Sequence, residues 1–130
     1  LNPDHSDALN FVAYSFAEEG VELERAMDLI SRALKLKPND GYYMDTLGWI
    51  HFQRGEYLEA LPILQRAVSL TGQDAVILEH LGDVFIKLDQ STKALKAYKS
   101  AIERARAAGD RESIVTLERL QNKVRVFESP

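Results

Sequence analysis

Residues 44–70 read MDTLGWIHFQRGEYLEALPILQRAVSL, a pattern that predicts two amphipathic helices joined by a turn at residues 55–57. Small residues of this stretch recur along the chain at a fixed distance. Leu47-Gly48 returns 34 positions later as Leu81-Gly82. Alanines recur with the same spacing at Ala26, Ala60 and Ala94, and again at Ala33, Ala67 and Ala101. A period of this length indicates stacked structural repeats.

The period divides the chain into three helix pairs, at residues 6–40, 41–74 and 75–108. Residues 1–5 have the form of residues 36–40, so we interpret them as the tail of a preceding repeat and expect the chain to be part of a longer array. We predict helix starts at short polar residues whose oxygens can accept from backbone amides. The predicted caps are Ser6 or Asp7, Asp40, Asp74 and Ser91.

Residues 109–130 predict one more amphipathic helix that departs from the repeat, because Glu118 stands where a small residue is expected. A stack of helix pairs would otherwise expose an apolar face at its end. We therefore expect this segment to be a C-terminal capping helix, and a separate binding helix is the alternative.

Composition and residue patterns argue against several classes of protein. The net charge is −4, with 20 acidic against 16 basic residues, which disfavours a nucleic-acid partner. There are no cysteines, so disulfides and thiolate metal sites are excluded. No apolar run approaches the 18 or so residues of a membrane span, and no Val/Ile/Thr-rich alternation predicts a strand.

No motif indicates an enzyme. The three histidines, His5, His51 and His80, form no HExxH pair, and the sequence lacks a nucleophile elbow and a phosphate-binding loop. A zinc site needs three or four converging ligands. We expect a structural or surface role for His51, and no catalytic residue, metal or cofactor.

The spaced residues resemble the signature of the tetratricopeptide repeat (TPR) family over about 100 of the 130 residues. The second unit supplies Leu47-Gly48, Gly55-Glu56-Tyr57, Ala60 and Ala67. The third supplies Leu81-Gly82, Ala94, Tyr98 and Ala101, and it departs from the signature at Asp89, where glycine is expected. The sequence of the repeats is similar to that of bacterial multi-repeat TPR proteins, some of them envelope lipoproteins. That likeness implies the bacterial cytoplasm or cell envelope, and the residues themselves leave the compartment open.

The resemblance implies an all-α, right-handed superhelical solenoid of helix-turn-helix pairs. In the family the first helix of each pair lines a concave groove that holds a peptide segment or a partner domain. The implied function is a non-catalytic scaffold for protein–protein interaction. The family's contact positions fall on Asn10, Tyr14, Glu18, Tyr42, Asp45, Trp49, Phe52, Gln53, Glu79, Asp83, Ile86 and Lys87.

Trp49 and Phe52 are the strongest candidates for anchoring a partner, because aromatic residues dominate binding hot spots. Trp49 packing between adjacent helices remains an alternative. The candidate groove carries four carboxylates against one lysine, so we expect a partner segment with basic and apolar residues.

A second hypothesis is a structural or self-association module within a longer array. It would use the N-terminal repeat face, where parts of Leu9 and Phe11 would be uncovered. We expect no nucleic-acid partner and no direct insertion of this segment into a membrane.

Overall fold

A computed structural model describes residues 5–128 of the 130-residue chain. This part forms seven α-helices and no strand, as the sequence predicts. The helices are α1 (His5–Glu19), α2 (Leu23–Leu36), α3 (Gly41–Gln53), α4 (Tyr57–Leu70), α5 (Ala75–Lys87), α6 (Ser91–Ala108) and α7 (Arg111–Glu128). They belong to two compact units, Leu1–Thr71 with α1 to α4 and Gly72–Pro130 with α5 to α7.

The finer division into repeats at residues 6–40, 41–74 and 75–108, with a final segment at 109–130, stays a prediction. Residues 1–4 of the predicted N-terminal tail lie outside the described residues, and His5 is the first residue of α1.

Two aspartates cap helices as predicted. The Oδ1 atom of Asp40 accepts from the backbone amides of Tyr42 and Tyr43, at 2.9 and 3.1 Å. Asp74 Oδ1 accepts from the amides of Val76 and Ile77 in the same way, at 2.9 and 3.2 Å. Each carboxylate therefore satisfies amides that have no partner within the helix.

The other predicted caps are wrong. Ser6 and Asp7 lie inside the first turn of α1, where the Asp7 carboxylate accepts from the Tyr43 hydroxyl and the Ser6 hydroxyl is hydrogen-bonded to the same group. At α6, Ser91 is already helical, and Gln90 before it makes no side-chain capping hydrogen bond. At Ser6 and Asp7 the polar side chain bonds to a neighbouring helix instead of its own, a choice that local sequence does not encode.

Small residues let the helices of the first unit approach closely. α1 packs on α2 and α3 on α4, while α3 also contacts α1 and α2. A Cβ atom at Gly48 would lie 2.7 Å from Leu64 Cγ, so the leucine fills the space that the glycine leaves. The fully buried residues between these helices are mostly alanines: Ala13, Ala17, Ala26, Ile30, Ala33, Ile50, Ala60, Leu64 and Ala67.

In the second unit, α5 pairs with α6, and α7 packs along α6 and touches α5. Leu120 and Val124 bury the apolar side of α7. Gly82 faces the ring of Tyr98, whose Cδ1 would lie 2.7 Å from a Cβ at that position. Whether α7 acts as the capping helix of a solenoid stays a prediction.

The turn after α5 contains Asp89 with a φ of +60°, at the place where the sequence departs from the glycine of the signature. A side chain with a Cβ is disfavoured in this left-handed conformation. We expect Asp89→Gly to raise the free energy of unfolding by about 0.5 kcal/mol. The change relieves backbone strain in the folded state, and this gain exceeds the entropic cost of a more flexible unfolded chain. Urea unfolding measures this change in the free energy of unfolding. The reciprocal change, Gly55→Asp at a φ of +79°, should lower stability.

Candidate functional site

Eight of the predicted site residues lie on α1 and α3 of the first unit, on a surface that we name the α1/α3 face. They are Asn10, Tyr14, Glu18, Tyr42, Asp45, Trp49, Phe52 and Gln53. Side-chain hydrogen bonds join the two helices along this surface. Thr46 Oγ1 donates to Asn10 Oδ1 at 2.6 Å, and Gln53 Nε2 donates to the carbonyl oxygen of Ala17 at 2.7 Å. Asn10 and Gln53 thus hold α1 against α3.

The Tyr43 hydroxyl extends this line of polar contacts by donating to the Asp7 carboxylate, and its oxygen lies 3.0 Å from the Ser6 hydroxyl oxygen. The side chain of Tyr43 is 2% exposed. Burial and the hydrogen bond to the Asp7 carboxylate raise the pKa of Tyr43 above its ordinary value. The hydroxyl therefore stays a proton donor through the neutral range and keeps the contact.

Trp49 and Phe52 form a parallel stack, with ring centroids 4.3 Å apart and an interplanar angle of 5°. Tyr57 meets Phe52 edge to face at 5.3 Å. Trp49 is only 7% exposed and belongs to the hydrophobic core of the unit, whereas Phe52 is half-buried. Trp49 therefore offers a partner little surface and supports Phe52 from below, which agrees with the packing alternative for this residue.

The accessible part of the α1/α3 face is aromatic and weakly acidic. Tyr42 is 55% exposed, Tyr14 is half-buried and Glu18 is exposed. Asp45 is buried, so its carboxylate adds little to the charge that reaches solvent.

The other four predicted residues, Glu79, Asp83, Ile86 and Lys87, lie on α5 in the second unit. Glu79 is 3% exposed, and Arg119 of α7 holds it with two hydrogen bonds of 2.7 Å. Lys123 lies 2.7 Å from Glu79 Oε2 and 2.9 Å from Asp83 Oδ1. The two carboxylates therefore bind α7.

These contacts shift the pKa values of Glu79 and Tyr98. Burial opposes ionisation of Glu79, but the hydrogen bonds from Arg119 and Lys123 outweigh it and lower its pKa below the ordinary value. The Tyr98 hydroxyl donates to Asp83 at 2.6 Å, and burial together with this carboxylate raises the pKa of Tyr98 well above its ordinary value. Arg119 and Lys123 therefore neutralise the two carboxylates that were expected to make this part of the groove negative.

Sequence reasoning missed Arg119 and Lys123, because the contact positions were taken only from the repeat signature and α7 lies outside it. The sequence nevertheless contained a signal for this pairing. Glu79 and Asp83 are four positions apart, as are Arg119 and Lys123, and each pair lies on one side of its helix. Exposed Ile86 and Lys87 remain accessible on α5.

His51 and the polar cavity of the second unit have structural explanations. His51 Nδ1 lies 2.8 Å from Glu56 Oε1 across the turn between α3 and α4. A cavity of about 390 Å³ lies where α5 and α7 begin and α6 ends, and its aspartates Asp74 and Asp110 accept from backbone amides. Among residues 5–128, no group of three acidic or histidine side chains is placed to hold a metal ion.

Residues 46–111 match the family model of the tetratricopeptide repeat. This match covers half of the chain, and the chain belongs to the tetratricopeptide repeat family. A TPR repeat-containing protein of Pseudomonas aeruginosa is 34% identical over 81 residues, which is 62% of this chain and 14% of that protein. One of Methanocaldococcus jannaschii is 33% identical over 82 residues, covering 63% of this chain and 14% of that protein. The matched part is therefore a small share of these relatives.

Solved structures share the fold at low sequence identity. PcrH of Pseudomonas aeruginosa superposes with a TM-score of 0.82 at 17% identity, covering 99% of this chain and 96% of that chain. The Yersinia enterocolitica type III secretion translocator chaperone SycD gives a TM-score of 0.82 at 16% identity, over 95% of this chain and 90% of that chain. PcrH has also been solved in complex with the chaperone binding region of PopD, with a TM-score of 0.81 at 17% identity, over 97% of this chain and 92% of that chain. No helix within residues 5–128 is long and apolar enough to cross a membrane.

Proposed function

We propose that this chain is a non-catalytic protein-interaction module that binds a peptide segment of a partner protein on the α1/α3 face. The observation that carries this proposal is the set of accessible aromatic side chains, Tyr14, Tyr42 and Phe52, on a surface whose helices are joined by hydrogen bonds. Tyr42 and Trp49 are seven positions apart, so helical geometry places Tyr42 on the same side of α3 as the stacked rings. The complex of PcrH with the chaperone binding region of PopD supports a peptide ligand for this fold.

Rigidity favours binding at this surface. The hydrogen bonds of Asn10 and Gln53 fix α1 against α3, and Trp49 supports the ring of Phe52. A surface ordered before binding loses little conformational entropy when the ligand arrives. Tyrosine and phenylalanine add large contact areas with few rotatable bonds.

The chemistry of the proposed partner segment follows from the accessible groups. Apolar or aromatic side chains of the ligand fit Tyr14, Tyr42 and Phe52, and one basic residue fits the exposed carboxylate of Glu18. Glu79 and Asp83 are bound by Arg119 and Lys123, so they add no attraction for a basic ligand. The expected preference for basic residues therefore rests on Glu18.

A selection from a phage-displayed peptide library tests the proposal. We expect the selected peptides to be rich in aromatic and aliphatic residues. Tyr42→Ala and Phe52→Ala should each weaken their affinity by about tenfold, the effect of losing a hot-spot contact. Fluorescence anisotropy with a labelled peptide measures the dissociation constant, and circular dichroism checks that each variant is folded.

Leu58→Ala is the matched control, since Leu58 is 73% exposed on α4 and lies outside the α1/α3 face. It should leave affinity unchanged. Peptides whose affinity falls with Leu58→Ala and not with Tyr42→Ala or Phe52→Ala would overturn the proposal. A requirement for a free acidic C-terminus on the peptide would contradict the chemistry assigned to the ligand.

A further inference from the structure

The N-terminal face of α1 is less open than the sequence predicts. Phe11 is 73% exposed, but Leu9 is buried, so the expectation of an uncovered surface is wrong for Leu9. Self-association through this face stays a prediction.

The polar cavity of the second unit is a better-defined site, built from three helix ends. It has a volume of about 390 Å³ and lies between the first turns of α5 and α7 and the last turns of α6. Sites that hold small molecules have volumes of this order. Seven of its ten lining residues are polar or charged, so a ligand that fits it is polar as well.

Thr116 is the lining residue that packing and capping do not explain. It lies in the second turn of α7 and is only 5% exposed. Within residues 5–128, no group forms a hydrogen bond with its hydroxyl, although the side chain lines the cavity. A buried hydroxyl without a partner in the protein is unfavourable, and a polar ligand in the cavity would satisfy it.

The charges around this hydroxyl favour a cation. Asp74, Asp110 and Glu112 contribute three carboxylates to the cavity. The N-termini of α5 and α7 offset roughly one unit of that charge, and the C-terminus of α6 adds about half a unit of negative charge. The one cation, Arg104, donates to Gln73 Oε1 at 3.3 Å, so its guanidinium lies against the turn before α5. The side of the cavity formed by α7 is therefore negative.

We propose that this cavity binds a primary ammonium group, which donates to the Thr116 hydroxyl oxygen and to the carboxylates of Asp110 and Glu112. An ammonium group has three donors, and these residues supply three acceptors. A metal ion fits this site less well, because no three acidic or histidine side chains of residues 5–128 are placed to hold one. A free amine and a lysine side chain of a partner segment present the same chemistry.

Titration with butylammonium, which is charged at neutral pH, tests the proposal. Saturable shifts are expected at the backbone amides of Val76, Ser113 and Thr116, followed by nuclear magnetic resonance. We expect a dissociation constant on the order of 1 mM, because Asp110 and Glu112 are exposed to solvent. Butanol, which has the same chain without the charge, should give no saturable shift. The tighter binder of diaminobutane and Nα-acetyl-lysine amide then distinguishes a free amine from a lysine side chain.

Thr116→Val keeps the shape of the side chain and removes its hydroxyl. It should weaken binding of butylammonium by about tenfold, the effect of losing one hydrogen bond to a charged group. The free energy of unfolding should stay the same or rise, because the hydroxyl has no partner in the described part of the chain to lose. A residue with a structural role would instead lose stability when changed.

Glu112→Gln should also weaken binding, and it tests the charge of the site separately from the hydroxyl. Glu118→Gln is the matched control, since Glu118 is exposed on the same helix and does not line the cavity. It should leave the dissociation constant unchanged. Equal weakening by the two glutamine variants would reduce the effect to general attraction of a cation by an acidic protein and overturn the proposal. The absence of a saturable shift with butylammonium, or unchanged binding to the Thr116→Val variant, would overturn it too.

Discussion

Replacing Arg119 and Lys123 together by methionine is expected to lower the free energy of unfolding of the second unit by about 3–5 kcal/mol. The two cations make the ion pairs of Glu79, whose side chain is 3% exposed. Methionine keeps the length and apolar contacts of the replaced side chains but removes the charge. The carboxylate would then stay buried without a cation, which is the costly state. Hydrogen exchange at the amides of α5, followed as urea is added, measures the loss of unfolding free energy for this unit alone.

The pH dependence of stability should reverse sign in this double variant. In the unchanged chain the pKa of Glu79 is lowered, so its contribution to stability is full above the unfolded pKa and is lost as pH falls through the folded pKa, below about 4.5. Without the cations, burial alone acts and raises the pKa of Glu79. Stability should then increase as pH falls from 7 toward 5, because the folded state takes up the proton more readily.

Two controls isolate the buried charge. Adding Glu79→Gln to the double variant removes that charge and should recover about 1–3 kcal/mol, the cost of an unsatisfied buried group. Lys96→Met with Arg106→Met removes the same net charge from exposed positions of α6 and should change stability by less than about 1 kcal/mol. An equal loss in both pairs of variants would mean that net charge, and not the contact with Glu79, causes the effect.

The repeat pattern predicted the helices and their tight packing because both depend on residues at fixed spacing. Gly48 and the buried alanines recur at the period of the helix pair, and each is small because a neighbouring helix lies against it. Asp40 and Asp74 were predicted as caps because capping is local, the carboxylate bonding to amides two and three residues on.

The candidate site was predicted less completely, because exposure depends on which neighbours a side chain meets. Asn10 and Gln53 were predicted to contact a partner, and in the structure their side chains bond across between α1 and α3. Glu79 and Asp83 were counted as free negative charge, and their partners lie 40 positions away on a helix outside the repeat. Only the matching four-residue spacing of the two charged pairs points to this contact between distant helices, whereas small apolar residues show directly that a helix is packed.

Gly82→Ala is expected to lower the free energy of unfolding by about 2 kcal/mol, although alanine favours a helix by about 1 kcal/mol over glycine. The new methyl group would overlap the ring of Tyr98, which is 3% exposed and whose hydroxyl is held by Asp83. An aromatic ring fixed at both ends cannot turn aside. Gly48→Ala is the comparison, since its methyl group would lie 2.7 Å from Leu64, farther than a Cβ at Gly82 would lie from Tyr98 Cε1, and the cost should be smaller.

A double-mutant cycle with Tyr98→Leu separates steric overlap between residue 82 and the Tyr98 ring from other causes of the lost stability. Tyr98→Leu will itself be destabilising, because the ring and its hydrogen bond are lost. In that background the space beside residue 82 is larger, and Gly82→Ala should become neutral or stabilise by up to about 1 kcal/mol through helix propensity. The coupling between the two changes should then reach 2 kcal/mol or more, as for residues in direct contact. If Gly82→Ala costs the same in both backgrounds, the ring does not impose the glycine, and the recurrence of Leu-Gly at 34 positions needs another physical cause.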